Sequence, residues 1–170
     1  MSKADRVTAA AVRARVRGLA DPARAAGVAR FFKTAPGEYG AGDRFLGIRV
    51  PALRRLARAY QDLPRPEVLK LLASPWHEER LLALLVLVRQ YGRADDRGRA
   101  AIYRLYMAQV THVDNWDLVD CSAEHIVGAH LRGRDRARLR RLVASKSVWH
   151  RRIAVLSTFH YIRRGEYLAA

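Results

Sequence analysis

The segment Asp114-Asn115-Trp116-Asp117-Leu118-Val119-Asp120 carries the side chains best able to do chemistry in this chain. A carboxylate beside an indole can stabilise developing positive charge, because the anion and the π face act on the same cation. If the segment is helical and Val119 marks the centre of its buried seam, a rotation of about 100° per residue turns Ala123, Ile126 and His130 towards the core. Trp116 then edges that core, Asp120 borders it half sheltered, and Asp117 points away. Asp114 or Asn115 is expected to cap the helix, and Asp117 in its first turn suits the positive end of the helix dipole. Capping accounts for those three residues. Asp120 lies a turn further in, and two readings stand for it. One is an ion pair with an arginine of a neighbouring repeat. The other is a carboxylate on the floor of a basic groove, facing an electron-deficient group of a ligand.

A second candidate is Val148-Trp149-His150-Arg151-Arg152-Ile153. Trp149 and Arg152 are three residues apart and share a helix face, which sets a stacking surface beside a guanidinium fork. For Trp149 taken alone, core packing is the stronger reading. Arg151 and Arg152 are about 100° apart and cannot both face one partner, so one of the two faces solvent or a neighbouring repeat. Other motifs carry less. Residues 34–46 are glycine-rich, yet they follow a helix and lack the Gly-Lys-Ser/Thr ending of a phosphate loop, so their glycines shape a turn. His77-Glu78-Glu79-Arg80-Leu81 has leucine where a zinc protease needs its second histidine, and no Cys/His cluster has ligand spacing. No metal is expected. His125 and His130, five apart, do not share a helix face, and the carboxylate next to Cys121 would raise rather than lower its thiol pKa.

The elements that must hold these residues read as helices. Apolar residues recur at helical spacing almost throughout, and no stretch alternates with period two long enough for a strand. The pattern predicts an all-α chain with helices near 5–19, 21–33, 50–61, 65–73, 77–92, 96–110, 115–131, 135–145 and 148–164. Pro22, Pro51 and Pro66 suit first helical turns, Ser74-Pro75 separates two runs, and Gly92, Gly133 and Gly165 fall where C-terminal caps belong. Trp76, Trp116 and Trp149 are separated by 40 and 33 residues, and each stands at or just before the second helix of a pair. Arg80-Leu81 with Leu84 and Leu87 is echoed 72 residues later by Arg152-Ile153 with Leu156 and Phe159. Two helices per period of about 40 is the signature of a HEAT-like α-solenoid, whose pairs cannot bury their faces alone. The expected architecture is a right-handed stack of such pairs in one domain, with a concave basic groove.

Charge points to the partner. Thirty-two Lys and Arg against sixteen Asp and Glu leave +16, and twenty-eight of the cations are arginine. Residues 1–60 and 132–170 each carry +9, while 61–131 carry −2. An acidic polymer is the first partner to test, nucleic acid ahead of an anionic membrane surface. The longest apolar run, residues 81–88, is eight residues, far short of the roughly 20 that span a bilayer. A lone Cys121 and a start without an apolar leader read as a cytoplasmic chain, nucleoid-associated when bound to DNA.

Taken together, Phe31-Phe32-Lys33, Tyr39-Gly40-x-Gly42-Asp43-x-Phe45-Leu46-Gly47-Ile48-x-x-Pro51-x-x-Arg54, Asn115-Trp116-Asp117-Leu118-Val119-Asp120 and Trp149-x-x-Arg152-Ile153-Ala154 resemble the AlkD-type DNA alkylation repair glycosylases. The resemblance runs from about residue 20 to the end. It implies a HEAT-like solenoid that removes N3- and N7-alkylated purines from double-stranded DNA without flipping the base into a pocket; a monomer without metal or cofactor is expected. It further implies that Asp120 is catalytic, that Trp116 contacts the sugar of the lesion and that Arg152 grips the nearby phosphate. Trp149, Arg151, Phe31, Arg44, Arg49 and Arg80 are expected to contact DNA beside it. The family often has tyrosine at the position of Phe31, and a second lesion-facing tryptophan in a repeat beyond Gly165-Glu166-Tyr167, so the chain reads as short by one or two helices. The alternatives are a non-catalytic nucleic-acid-binding solenoid and a protein-binding scaffold whose arginine-rich ends meet an acidic protein.

Overall fold

Three helices begin where proline pre-sets the backbone: α2 (Pro22–Phe31), α3 (Val50–Ala59) and α4 (Arg65–Leu72) each hold a proline in the first two positions. They follow α1 (Ala9–Arg17) and precede α5 (His77–Arg93), α6 (Asp96–Ala108), α7 (Trp116–Asp120), α8 (Ala129–Leu131), α9 (Ala137–Val143) and α10 (Val148–Ile162). A computed structural model describes residues 7–134 and 136–166, and among these the regular structure is helical, as the apolar spacing predicts. The expected helix starts at residues 5 and 135 lie outside the described residues. No helix among them is long and apolar enough to cross a membrane. The chain divides into two compact units, Met1–Leu87 and Val88–Ala170.

In the first unit the apolar run at the heart of α5 is buried on every side, from Leu81 through Leu87. A helix apolar all round must be covered all round. Leu53, Val68, Leu71 and Leu72 are fully buried in the same unit. Polar order is set by the first turn of α5. Glu78 accepts the backbone N–H groups of Leu46 and Gly47, both at 2.8 Å, and of Ile48 at 3.2 Å. Glu79 accepts Ser74 Oγ at 2.6 Å and pairs with Arg13 at 3.1 Å and Arg17 at 2.8 Å. Gly47 adopts φ 78°, and a Cβ there would lie 2.3 Å from the Asp21 carbonyl oxygen and 2.7 Å from Ala25 N. Only glycine lets this loop lie on the start of α2.

The second unit is built on helix pairs. α9 packs on α10, and α6 packs on the helical stretch that runs from α7 through residues 124–128 to α8. That stretch is not the uniform helix the spacing suggests. Glu124–Gly128 is a π turn, in which the Ala129 N–H reaches back five residues to the Glu124 carbonyl. The hydroxyl of Ser122 donates to the Leu118 carbonyl at 2.5 Å, and such back-bonding competes with the α pattern. Gly128 lies against α10, where a Cβ would stand 2.3 Å from the Ser157 carbonyl oxygen. Gly133 and Gly165 take positive φ of 67° and 70°, as helix-ending glycines do, whereas Gly92 lies inside α5, which runs on to Arg93.

Candidate functional site

Asn115, fully buried, is the N-cap of α7, and its side chain accepts the Trp116 N–H at 2.8 Å. Of the two expected capping residues it is this one that caps. Trp116 opens the helix half-buried, and Asp120 closes it one turn later on the same side, also half-buried. Val119, Ala123 and Ile126 are fully buried and His130 is 9% exposed, as the helical wheel predicts. Asp117 departs from that wheel. It is half-buried, with Oδ1 shut off from solvent, in a helix that packs against α10.

Asp120 is held by Arg152 from α10. Arg152 Nε donates to Oδ1 and Nη2 donates to Oδ2, both at 2.7 Å. Of the two readings open to Asp120, the ion pair with an arginine of the next helix pair is the observed geometry. The carboxylate side chain is nonetheless 34% exposed and the guanidinium 38%. A pair this open contributes only about 0–1 kcal/mol to stability, so its main effect is to fix geometry. The carboxylate raises the Arg152 pKa further above its ordinary value, keeping the guanidinium charged. Two of the five guanidinium N–H groups are used on Asp120, and three remain for a phosphate. Each carboxylate oxygen likewise keeps a second lone pair able to accept from water.

Trp149 is half-buried near the start of α10, three residues before Arg152. Arg151 turns away from Arg152 and donates Nη1 to the carbonyls of Ser145 at 2.8 Å and Lys146 at 3.0 Å, so it braces the entry to α10. The other candidates lie in the first unit. Phe31 is 66% exposed, with its ring edge-on to Phe32. Arg44 is exposed, and its carbonyl accepts the His77 N–H at 2.8 Å. Arg49 is exposed at the N-cap of α3. Arg80 does not reach a ligand surface. It is 7% exposed, with Nη2 on Asp43 at 2.9 Å and Nη1 on the Ser74 carbonyl, because the first turn of α5 faces the interior of its unit. Its neighbour His77 is also buried and bonds Asp43 at 2.7 Å while stacking on Phe45. The His-Glu-Glu-Arg run, dismissed as a metal motif, is thus a polar clasp. Four polar residues placed directly before the apolar run 81–88 are the sequence signal for such a clasp. Among the described residues, no three His, Cys, Asp or Glu side chains gather to hold a metal.

This chain belongs to the DNA alkylation repair enzyme family, whose model matches residues 12–169. No curated protein and no solved structure matches it. Membership gives it a role in alkylation repair, with DNA as the implied partner.

Proposed function

We propose that the chain is a DNA glycosylase that hydrolyses the N-glycosidic bond of N3- and N7-alkylated purines in duplex DNA. One observation carries the reading: a half-exposed carboxylate, one helical turn from an indole, oriented through both oxygens by a guanidinium with donors to spare. An alkylated purine already bears positive charge and departs without a general acid, which leaves the positive charge on the deoxyribose. A single carboxylate suffices for that transition state. Asp120 stabilises the oxocarbenium-like sugar and orients the attacking water through its remaining lone pairs. Trp116 offers its π face to the same cation. The free N–H groups of Arg152 grip the adjacent phosphate, tying the position of the sugar to that of the carboxylate.

The test is release of N7-methylguanine from methylated duplex DNA, measured by chromatography. Asp120→Asn removes the charge while keeping the shape, and it should abolish release with duplex affinity nearly unchanged. Undiminished release from that variant removes Asp120 from the mechanism. The bidentate pairing favours a second reading, in which Asp120 only braces α7 to α10 and the chain binds nucleic acid without turnover. That reading requires that the unmodified protein free no purine.

A further inference from the structure

Most arginines of the second unit are spoken for. Arg99, Arg132, Arg152 and Arg163 pair with carboxylates, and Arg134, Arg151 and Arg164 donate to backbone carbonyls. Arg104, Arg138 and Arg141 are exposed and have no such partner among the described residues. Arg104 and Arg138 line one cavity of about 340 Å³ between α6 and α9, together with Tyr103, Met107 and Ala108. Arg141 is close enough for its charge to act on Tyr103. Unpaired cations gathered at one place repel one another until an anion relieves them. The cavity lies at the low end of the roughly 300–1,000 Å³ that small ligands occupy.

Its wall is rigid. The Tyr103 ring stacks on His130 at 4.2 Å between centroids and 20° between planes, and His130 is itself buried. Burial raises the Tyr103 phenol above its ordinary pKa although Arg138 and Arg141 pull it down, so the hydroxyl stays neutral and available as donor or acceptor. A fixed aromatic and a thioether beside two free guanidiniums form an apolar floor with a cationic rim. A phosphate with a flat apolar body fills both parts. In a duplex the bases are stacked away, and only phosphates would reach the rim, leaving the floor empty. An unpaired nucleotide satisfies both.

We propose that the groove between α6 and α9 binds single-stranded nucleic acid, holding a phosphate on each of Arg104 and Arg138 and a base or sugar against Tyr103, Met107 and Ala108. The site shares no residue with the Asp120–Arg152 pair and stands whether or not that pair is catalytic. The experiment measures binding of the full chain to a fluorescent short oligothymidylate, and to a duplex of equal length, across a salt series. Two variants are used: the double substitution Arg104→Ala with Arg138→Ala, and Ala108→Glu, which sets a carboxylate in the cavity from an exposed position. Each is expected to weaken single-strand binding about tenfold and to leave duplex binding within about twofold. In the double variant the salt slope should flatten by about 1.4, at about 0.7 per phosphate contact. Thermal melts should match the parent. Unchanged oligothymidylate affinity in the two folded variants overturns the proposal. So does an equal loss for both nucleic acids, which would reduce the groove to general positive charge.

Discussion

At the scale of single residues, what matters about Asp120 is orientation. Both carboxylate oxygens are fixed at 2.7 Å by one planar group, and lysine cannot reproduce that fork. Arg152→Lys therefore keeps the charge and loses the geometry. Because misplacement by about an ångström can cost about a hundredfold in rate, single-turnover release of N7-methylguanine should fall by about that factor in this variant, with melting temperature within a few degrees of the parent. A rate equal to the parent's would show that bidentate holding is not needed. Trp116→Leu keeps an apolar side chain at the edge of the core and removes the π face, and it should lower release by roughly tenfold while leaving duplex affinity in place. A loss confined to affinity would move Trp116 from the reacting sugar to general binding.

At the scale of elements, two glycines and one carboxylate set where the helices lie. Gly47 permits the contact of its loop with the start of α2, and Glu78 holds the same loop through three backbone N–H groups. Gly47→Ala adds a methyl 2.3 Å from a backbone oxygen in a left-handed conformation. It should cost about 3 kcal/mol or more, read as a loss of urea midpoint at constant slope. Glu78→Ala strands buried N–H donors and should cost about as much. In the second unit Gly128→Ala drives a methyl into α10 at Ser157, five residues beyond Arg152. Beyond its stability cost it should reduce purine release by shifting Arg152 from Asp120. A destabilised variant with the parent's release rate would uncouple that packing contact from the site.

At the scale of the whole molecule, charge and two sheltered histidines govern the response to solvent. A protein that neutralises three phosphates loses roughly 40-fold in duplex affinity between 50 and 200 mM salt, and a chain of +16 should lose at least that much. Salt-insensitive binding would point away from a phosphate partner. His130 is held below the ordinary histidine pKa, first by burial and then by Arg134 and Arg104, against the opposing pull of Asp96. Burial also lowers His160, with Arg164 and Arg132 acting in the same direction and Glu124 and Glu166 against it. The folded state thus resists protons that the unfolded chain accepts near pH 6.5, so stability is complete above that value and falls as pH drops below it. Melting temperature should decline by a few degrees from pH 7.5 to 5.5, and His130→Phe, which keeps a ring beside Tyr103, should make the decline shallower. An identical decline in that variant would place its source elsewhere.

Periodicity and punctuation carried most of the secondary structure. Apolar spacing located the helices, Pro22, Pro51 and Pro66 their starts, and the tryptophans the second helix of each pair, since these are local properties of a chain that must bury one face and satisfy its helix ends. The wheel about Val119 also ranked Asp120 as half sheltered. Three things depended on tertiary contact. Arg80 and Arg152 occupy matching places in the repeat, yet one is buried on Asp43 and the other lies half-open on Asp120. The π turn arises where Ser122 takes a carbonyl and Gly128 meets α10. The α6–α9 groove exists because Tyr103 and Arg138, 35 residues apart in sequence, line the same cavity. Spacing along the chain fixes which residues share a face of one helix. Which charge finds a partner is fixed only when a second helix is laid against it.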